Sequence, residues 1–451
     1  MTEKIKNGPS GSILKMALVV GIILVLLIPL SLIRGLVRER NSLAYEAKEE
    51  VMTSVGGMLF LTAPLVEIPY QILEIREDSQ RVLHDSVKIR PDYTDIKIEL
   101  QSEYRSRGIF QTPVYVALVT VNGVFRMPSE LDVSEEAQMD WAEARLLAGI
   151  SDMQGIRSIE PLRWESSESQ FLPRGQHADL GPCIEAPVFL GKPGEELRFQ
   201  WTMTVSGGSR VSVVPLGREA RLNIEGDWPS PSFSGILLPE DREWGEEGFS
   251  AQWTIPEVSR PLPSQWTGSL SSQASLDEFA LTVNFLDPVD SYAQVTRLVK
   301  YGILFLLVPF IVFFLFELLG GSRIHPVQYM LAGAADVVFY LILLALSEHM
   351  RFGWSYALAA MAVVILLGTY AQSVHRKPLV ALIMPGVMAT AYLWLWVTLR
   401  SEDYALLIGA GGLFVMVALV MFLTRKVEWY PETASKKVRI KSKQEDGNLP
   451  S

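Results

Sequence analysis

Six stretches of this chain are apolar over the length needed to cross a lipid bilayer, and that constrains the fold more than any other feature. Residues 16–33 contain no charged side chain. As a helix rising 1.5 Å per residue they span roughly 27 Å, close to the thickness of the hydrocarbon core. A cleavable signal peptide has a shorter apolar region followed by small residues, whereas here Leu32-Ile33-Arg34 follows with no such pattern, so the segment reads as a retained anchor. A nearly continuous apolar block from Val299 to Thr424 breaks at charged or turn-forming clusters into residues 299–319, 327–347, 354–374, 378–399 and 404–424. The links between them are too short for anything but antiparallel neighbours, which predicts an up-down bundle of five helices.

Orientation follows from the basic residues, which are retained on the cytoplasmic side. With the N-terminus inside, the cytoplasmic segments hold Lys4, Lys6, Lys15, Arg323, Arg376, Lys377, Arg425, Lys426 and the basic tail around Lys436, Lys437, Arg439, Lys441 and Lys443. The short outer loops hold Arg351 and Arg400. Arg34, Arg38 and Arg40 stand against this orientation and are outvoted by the later helices. Residues 34–300 carry 25 basic residues against 40 acidic ones, so the middle of the chain is strongly acidic. The expected organisation is a cytoplasmic N-terminus (1–15), an anchor (16–33), a periplasmic domain (34–298), a five-helix bundle (299–424) and a basic cytoplasmic tail (425–451), in a bacterial inner membrane.

Between anchor and bundle the hydrophobic period changes from helical to two. Alternation over 114–121, with Asn122-Gly123 next and a return over 124–127, predicts a hairpin, because both central positions of a type I′ turn need positive φ. A second hairpin is expected from the strand 198–205, the turn Ser206-Gly207-Gly208-Ser209 and the return through Val211 and Val213. Ile96, Ile98 and Leu100; Leu222 and Ile224; Phe249, Ala251, Trp253 and Ile255; and Leu281, Val283 and Phe285 mark further strands. The predicted fold class is therefore a six-helix membrane protein with a mainly antiparallel β domain, sandwich-like. Two helical exceptions are expected: an amphipathic helix over 134–147 opening on Ser134, and a continuation of the anchor over 41–55.

One cysteine, Cys183, excludes an intramolecular disulfide, a CxxC redox pair and a multi-cysteine metal site. No P-loop, H-E-x-x-H or G-x-S-x-G occurs, so nucleotide, zincin and α/β-hydrolase chemistry lack their local geometry. His84-Asp85-Ser86 is adjacent in sequence, which does not arrange a triad. No catalytic, cofactor-binding or metal-ligating residue is assigned, and no nucleic-acid partner is indicated. Ionisable groups inside apolar segments are costly and face the bundle interior. Asp336, mid-helix, is either a proton or ion site in a transporter or a single carboxyl kept neutral by desolvation, and the lack of a basic partner at its depth favours the second. Glu317 lies within reach of Arg323 across a short turn.

Several motifs then carry a resemblance. FFLFELLGGSRIHPVQYMLAG (313–333) and FYLILLALSEH (339–349) resemble the CreD family of cell-envelope integrity proteins, as do SDMQGIRS (151–158), SVVPLGREARLNIEGDWPSPSFSGILLP (212–239), FLDPVDSY (285–292) and TRKVEWY (424–430). The order of the motifs is kept nearly end to end; departures fall at Asp336, where an apolar residue is expected, and over 56–68. The resemblance implies an inner-membrane protein of envelope integrity and stress tolerance, tied to a carbon-source-responsive two-component system and to colicin or β-lactam tolerance, with no known catalytic site. It singles out Glu317, Arg323, His325, Gln328 and Tyr329 at one turn, with Glu348 and His349 at the other end of the helix, as candidate functional residues. The implied partners are the lipid bilayer and an envelope protein or cell-wall component. Transport of a small solute through the bundle is the alternative, and an anchored hydrolase with a convergent acid and base is a third reading.

Overall fold

The computed structural model describes residues 9–76, 79–270, 276–285, 291–320, 324–374, 378–401 and 404–425. The chain divides into two compact units, Ser42–Val289 and a second made from Met1–Asn41 together with Asp290–Ser451.

The second unit is helical: α1 (Pro9–Val55, of which the part through Asn41 belongs here), α2 (Ser291–Gly320), α3 (Pro326–Ser347), α4 (Phe352–Val374), α5 (Pro378–Arg400) and α6 (Ala405–Thr424). Among the described residues six helices are long and apolar enough to cross a membrane. Helices α2 to α5 pack on one another in sequence, α2 also meets α5, and α6 leans chiefly on α5. Leu26, Leu30, Ile33 and Val37 recur on one face of α1 and are buried, the spacing of a helical stripe. Leu26 and Phe310 of α2 fill the space a side chain would take at Gly333, and Leu30 lies against Gly302. Small residues thus let backbones approach closely, as membrane helices require. Pro385 sits inside α5 over Gly368 of α4, where a Cβ would fall 3.1 Å from the proline ring. No α6 residue is buried, and its half-buried stripe of Ile408, Gly412, Met416 and Val420 includes Gly412, which abuts Trp394 of α5.

The first unit is built of two sheets. One runs in the order Leu172–His177, Gly181–Pro187, Arg145–Ile150, Leu59–Arg76, Arg210–Val214, Leu281–Phe285, Pro231–Gly235, with Ser79–Ile89, Gln138–Met139 and Gln265–Thr267 joining at its side. The other runs Asp241–Gly245, Gly248–Ile255, Glu219–Gly226, Tyr93–Arg107, Phe110–Arg126, Glu196–Gly208, Leu162–Trp164, Ser167–Ser169, with Ile156–Ile159 also paired to it. Pairing is mainly antiparallel, with parallel exceptions between Leu59–Arg76 and Arg210–Val214 and between Tyr93–Arg107 and Glu219–Gly226. Apolar residues from both sheets, including Leu61, Val66, Ile96, Val119, Trp164, Trp201 and Trp253, form one core. The alternation that predicts each strand is the alternation that fills this core.

Three local expectations fail for identifiable reasons. Asn122-Gly123 is not a turn: Phe110–Arg126 runs straight through it, and the hairpin instead turns at Gly108, whose φ is +60°. Gly123 is needed because the Phe199 ring and the Tyr93 carbonyl occupy the place a Cβ would take, the close approach that glycine in a strand permits. The second hairpin is absent as well, since Glu196–Gly208 and Arg210–Val214 belong to different sheets and the chain crosses between them at Ser209, φ +57°. Gly207 leaves room there for the Tyr115 ring, whose hydroxyl donates to the Arg210 carbonyl at 2.8 Å. Finally, residues 134–147 do not form a helix. Ser134 does cap one turn, its carbonyl accepting from Ala137 N at 2.9 Å. The turn does not propagate because Leu146 and Leu147 pair against Val66 and Leu65 in the sheet, so tertiary burial overrides local capping.

Candidate functional site

The sequence singles out two ends of α3, and the structure places polar side chains at both. At the α2–α3 end His325 is the helix cap: its Nδ1 accepts from Val327 N at 3.3 Å while the Gln328 amide oxygen accepts from His325 N at 2.9 Å. This reciprocal pair satisfies backbone donors that the first helical turn leaves open. Pro326 at the first helical position needs no donor partner. Tyr329 is buried, ringed by Phe310 and Phe313, and its hydroxyl donates to Glu317 at 3.3 Å. Arg323, and with it the expected pair to Glu317, lies outside the described residues.

At the α3–α4 end Glu348 closes α3, 3.6 Å from Arg40 of α1, and accepts from the Tyr292 hydroxyl at 3.4 Å. His349 is exposed, and its backbone N–H returns to the Leu346 carbonyl at 3.0 Å. Glu348 thus joins α1, α2 and α3, whereas His349 stands apart.

Two further constellations are not visible from sequence spacing. Asp336 is fully buried and accepts a 2.6 Å hydrogen bond from Tyr392 of α5, while Tyr356 of α4 donates to the Tyr392 carbonyl at 2.6 Å. The second lies in the β domain. In the register of four strands, Phe60, Thr62, Arg210, Ser212, Thr282, Asn284, Ser232 and Ser234 share one face; Leu61, Val211, Val213, Leu281, Val283 and Phe233 take the other. The apolar face joins the core. The polar face floors a groove of about 1100 Å³, walled by Asp179, Leu180, Ile236, Leu276, Asp277 and Glu278. Its floor is rich in hydroxyls: Ser212 and Thr282 lie 2.9 Å apart, and Asn284 donates to Ser234 at 3.0 Å. Asp179 is committed, accepting from Trp266, Ser269 and the Leu270 backbone at 3.1, 2.7 and 2.7 Å. The signal for this groove is the set of small hydroxyl residues at the alternate positions of apolar strands, which needs the pairing before it can be read.

Near that groove a buried ion cluster braces the sheet. Glu67 accepts from Ser86 at 2.7 Å, pairs with Arg174 and stands 3.4 Å from His177 Nε2. Burial pushes its carboxyl up, but hydrogen bonds from His177 and Ser86 and the charge of Arg174 outweigh it and hold the value at about 2. His84-Asp85-Ser86 forms no triad, since neighbouring strand residues face opposite ways; Asp85 accepts from Tyr70 at 3.2 Å and Ser86 serves Glu67. Among the described residues no group of three or more His, Cys, Asp and Glu side chains is placed to hold a metal ion.

Comparison with known proteins agrees with this architecture. The family model described as inner membrane protein CreD matches residues 12–430. Inner membrane protein CreD of Escherichia coli K12 is 30% identical over 429 residues, covering 92% of this chain and 93% of that protein. Solved structures align weakly: the M1 zinc metallopeptidase of Deinococcus radiodurans at TM-score 0.21 and 8% identity, over 44% of this chain and 42% of that one, and leukotriene A4 hydrolase of Saccharomyces cerevisiae at 0.22 and 10%, over 49% and 35%. Likeness of that size transfers neither fold nor activity. The match along nearly the whole chain, together with six membrane-length helices, places this protein in the CreD family of multi-pass inner membrane proteins.

Proposed function

We propose that the protein supports cell-envelope integrity by engaging a cell-wall component through the groove of its β domain, with the helical bundle as its membrane platform. In this reading the β domain lies in the periplasm and both termini are cytoplasmic. The retained basic residues of the short loops and tail, against the acidic middle of the chain, support that orientation. The observation that carries the function is the polar groove, where exposed Ser234 and Arg210 and half-buried Asn284 stand over the buried hydroxyls of Thr62, Ser212 and Thr282 and present the donors and acceptors a polyhydroxylated glycan uses. Its role is binding and not catalysis: Asp179 is held by three donors, and Asp277 and Glu278 stand exposed at the rim.

A photo-crosslinking residue at Ile236, exposed on the groove wall, tests this in intact cells. Glycan fragments attached to that position after muramidase digestion are the expected outcome, lost when Ser234→Trp fills the groove. Attachment to an envelope protein alone, or to cytosolic proteins, would refute the glycan reading.

Transport through the bundle is a second reading, and the buried Asp336 favours it. Substituting Asp336, Glu317 and His325 singly separates the two: a lost uptake or efflux phenotype at normal protein level supports transport.

A further inference from the structure

Asp336 sits eleven residues into the 22-residue α3, hence near the middle of a bilayer. One carboxylate oxygen has Tyr392 as donor; the other, Oδ2, is buried without any hydrogen-bond partner. One turn along the same helix face the Tyr340 hydroxyl is also fully buried and also unpartnered. A side chain on a helix leans back toward its N-terminus, so Tyr340 leans toward Asp336. Two orphaned polar atoms in one apolar interior are costly.

The groups around them are few. Tyr392 faces Asp336 from α5 and Tyr356 from α4, both within reach of its charge, and Arg34 of α1 is within reach of Tyr340. From α2, Gly302 abuts Tyr340 and Phe310 abuts Gly333, neither titratable. No described lysine, arginine or histidine bonds to Asp336, and Oδ2 with the Tyr340 hydroxyl are too few to hold a sodium ion in place of its water shell. Beyond Tyr340 the polar groups continue toward one mouth of the bundle. Arg34 donates to the Val299 carbonyl at 3.3 Å and has a buried Nε without partner. Farther along α1 and α3, Arg40 meets Glu348. Glu348 lies twelve residues from Asp336, about 18 Å along the helix.

We propose that Asp336 is a proton-binding site: Oδ2 takes up one proton and returns it, by way of the Tyr340 hydroxyl, to water at the mouth that Arg34, Arg40 and Glu348 line. Uptake leaves a neutral acid whose Oδ2–H is a donor for the interior; release leaves a carboxylate that keeps the Tyr392 O–H as donor. The proton is the only species exchanged.

Infrared difference spectra of the full-length protein in lipid nanodiscs, acid minus alkaline buffer, test it. The expected result is a carboxylic-acid carbonyl band that disappears on alkalinisation, shifts in heavy water, and is missing from Asp336→Asn. Tyr392→Phe keeps the titrating band at a higher frequency, because a hydrogen bond to the carbonyl is gone, and so reads the site even if Asp336→Asn fails to fold. Tyr340→Phe slows its deuterium exchange several-fold. A band that never titrates, a band unchanged in Asp336→Asn, no acid band at any pH, or a response to sodium at constant pH would each overturn the proposal.

Discussion

Among the described residues the β domain and the helical bundle each bury one carboxyl, and they treat it in opposite ways. Glu67 is surrounded by Ser86, Arg174 and His177, so its charge is met by hydrogen-bond donors and by the Arg174 cation. Asp336 has one donor, Tyr392, and one unpaired oxygen. A water-facing domain draws partners from long polar side chains that reach in from its surface. A membrane bundle has only what neighbouring helices carry at the same depth, here tyrosines. The first carboxyl is fixed in its ionised form by structure; the second is left with chemistry to do.

The largest effect should come from breaking the matched site. Glu67→Gln leaves Arg174 without its buried counter-charge and should cost about 3 kcal/mol, measured by denaturant unfolding of the full-length protein followed through its tryptophans. A loss below ~1 kcal/mol would mean that the cluster is solvated and that the contrast with Asp336 is false.

The same site predicts acid sensitivity with a definite sign. Glu67 is held at about 2 in the folded protein against an ordinary 4.5. Its contribution is therefore fully present above the ordinary carboxylate range and is lost as pH falls from there toward 2. The loss amounts to about 3 kcal/mol. Glu67→Gln should flatten that part of the pH–stability curve.

Gly123→Val should cost about 2 kcal/mol by overpacking against Phe199 and the Tyr93 carbonyl; a neutral result would restore Asn122-Gly123 as a turn. In the bundle, Asp336→Asn keeps an acceptor for Tyr392 and should change stability by no more than about 1 kcal/mol, read from thermal unfolding in detergent. A cost as large as that of Glu67→Gln would make Asp336 a structural anchor and erase the contrast. Smallest of all, Arg40→Ala removes a partly exposed pair to Glu348 and should cost under about 0.5 kcal/mol.

What the sequence revealed follows from the range of the forces involved. Hydropathy is summed over contiguous residues, so helices α3 to α6 are legible with ends within two residues, whereas α2 begins at Ser291, eight residues before its apolar run. Strand alternation is also local, and Leu281, Val283 and Phe285 read correctly as a core face. Pairing is not local. Asn122-Gly123 carries a strong turn signal that the Phe199 ring opposite it overrules, and Ser134 caps a turn whose continuation loses to burial of Leu146 and Leu147. The site residues divide in the same way: His325 and Gln328, three apart, form their cap within one helical turn. By contrast Asp336 and Tyr392 are 56 residues apart and meet only when α3 packs on α5. The groove floor draws on Thr62, Ser212 and Thr282, which no single stretch of sequence brings together.

Binding of a cell-wall component requires the β domain to face outward from the inner membrane. The native Cys183 is buried and burial pushes its thiol up to about 11, so it stays silent toward thiol reagents. A Ser234→Cys variant, exposed at the groove, can therefore be read cleanly with a membrane-impermeant maleimide on intact spheroplasts. Labelling before lysis is the predicted result; labelling that requires lysis would place the domain in the cytosol and contradict the account.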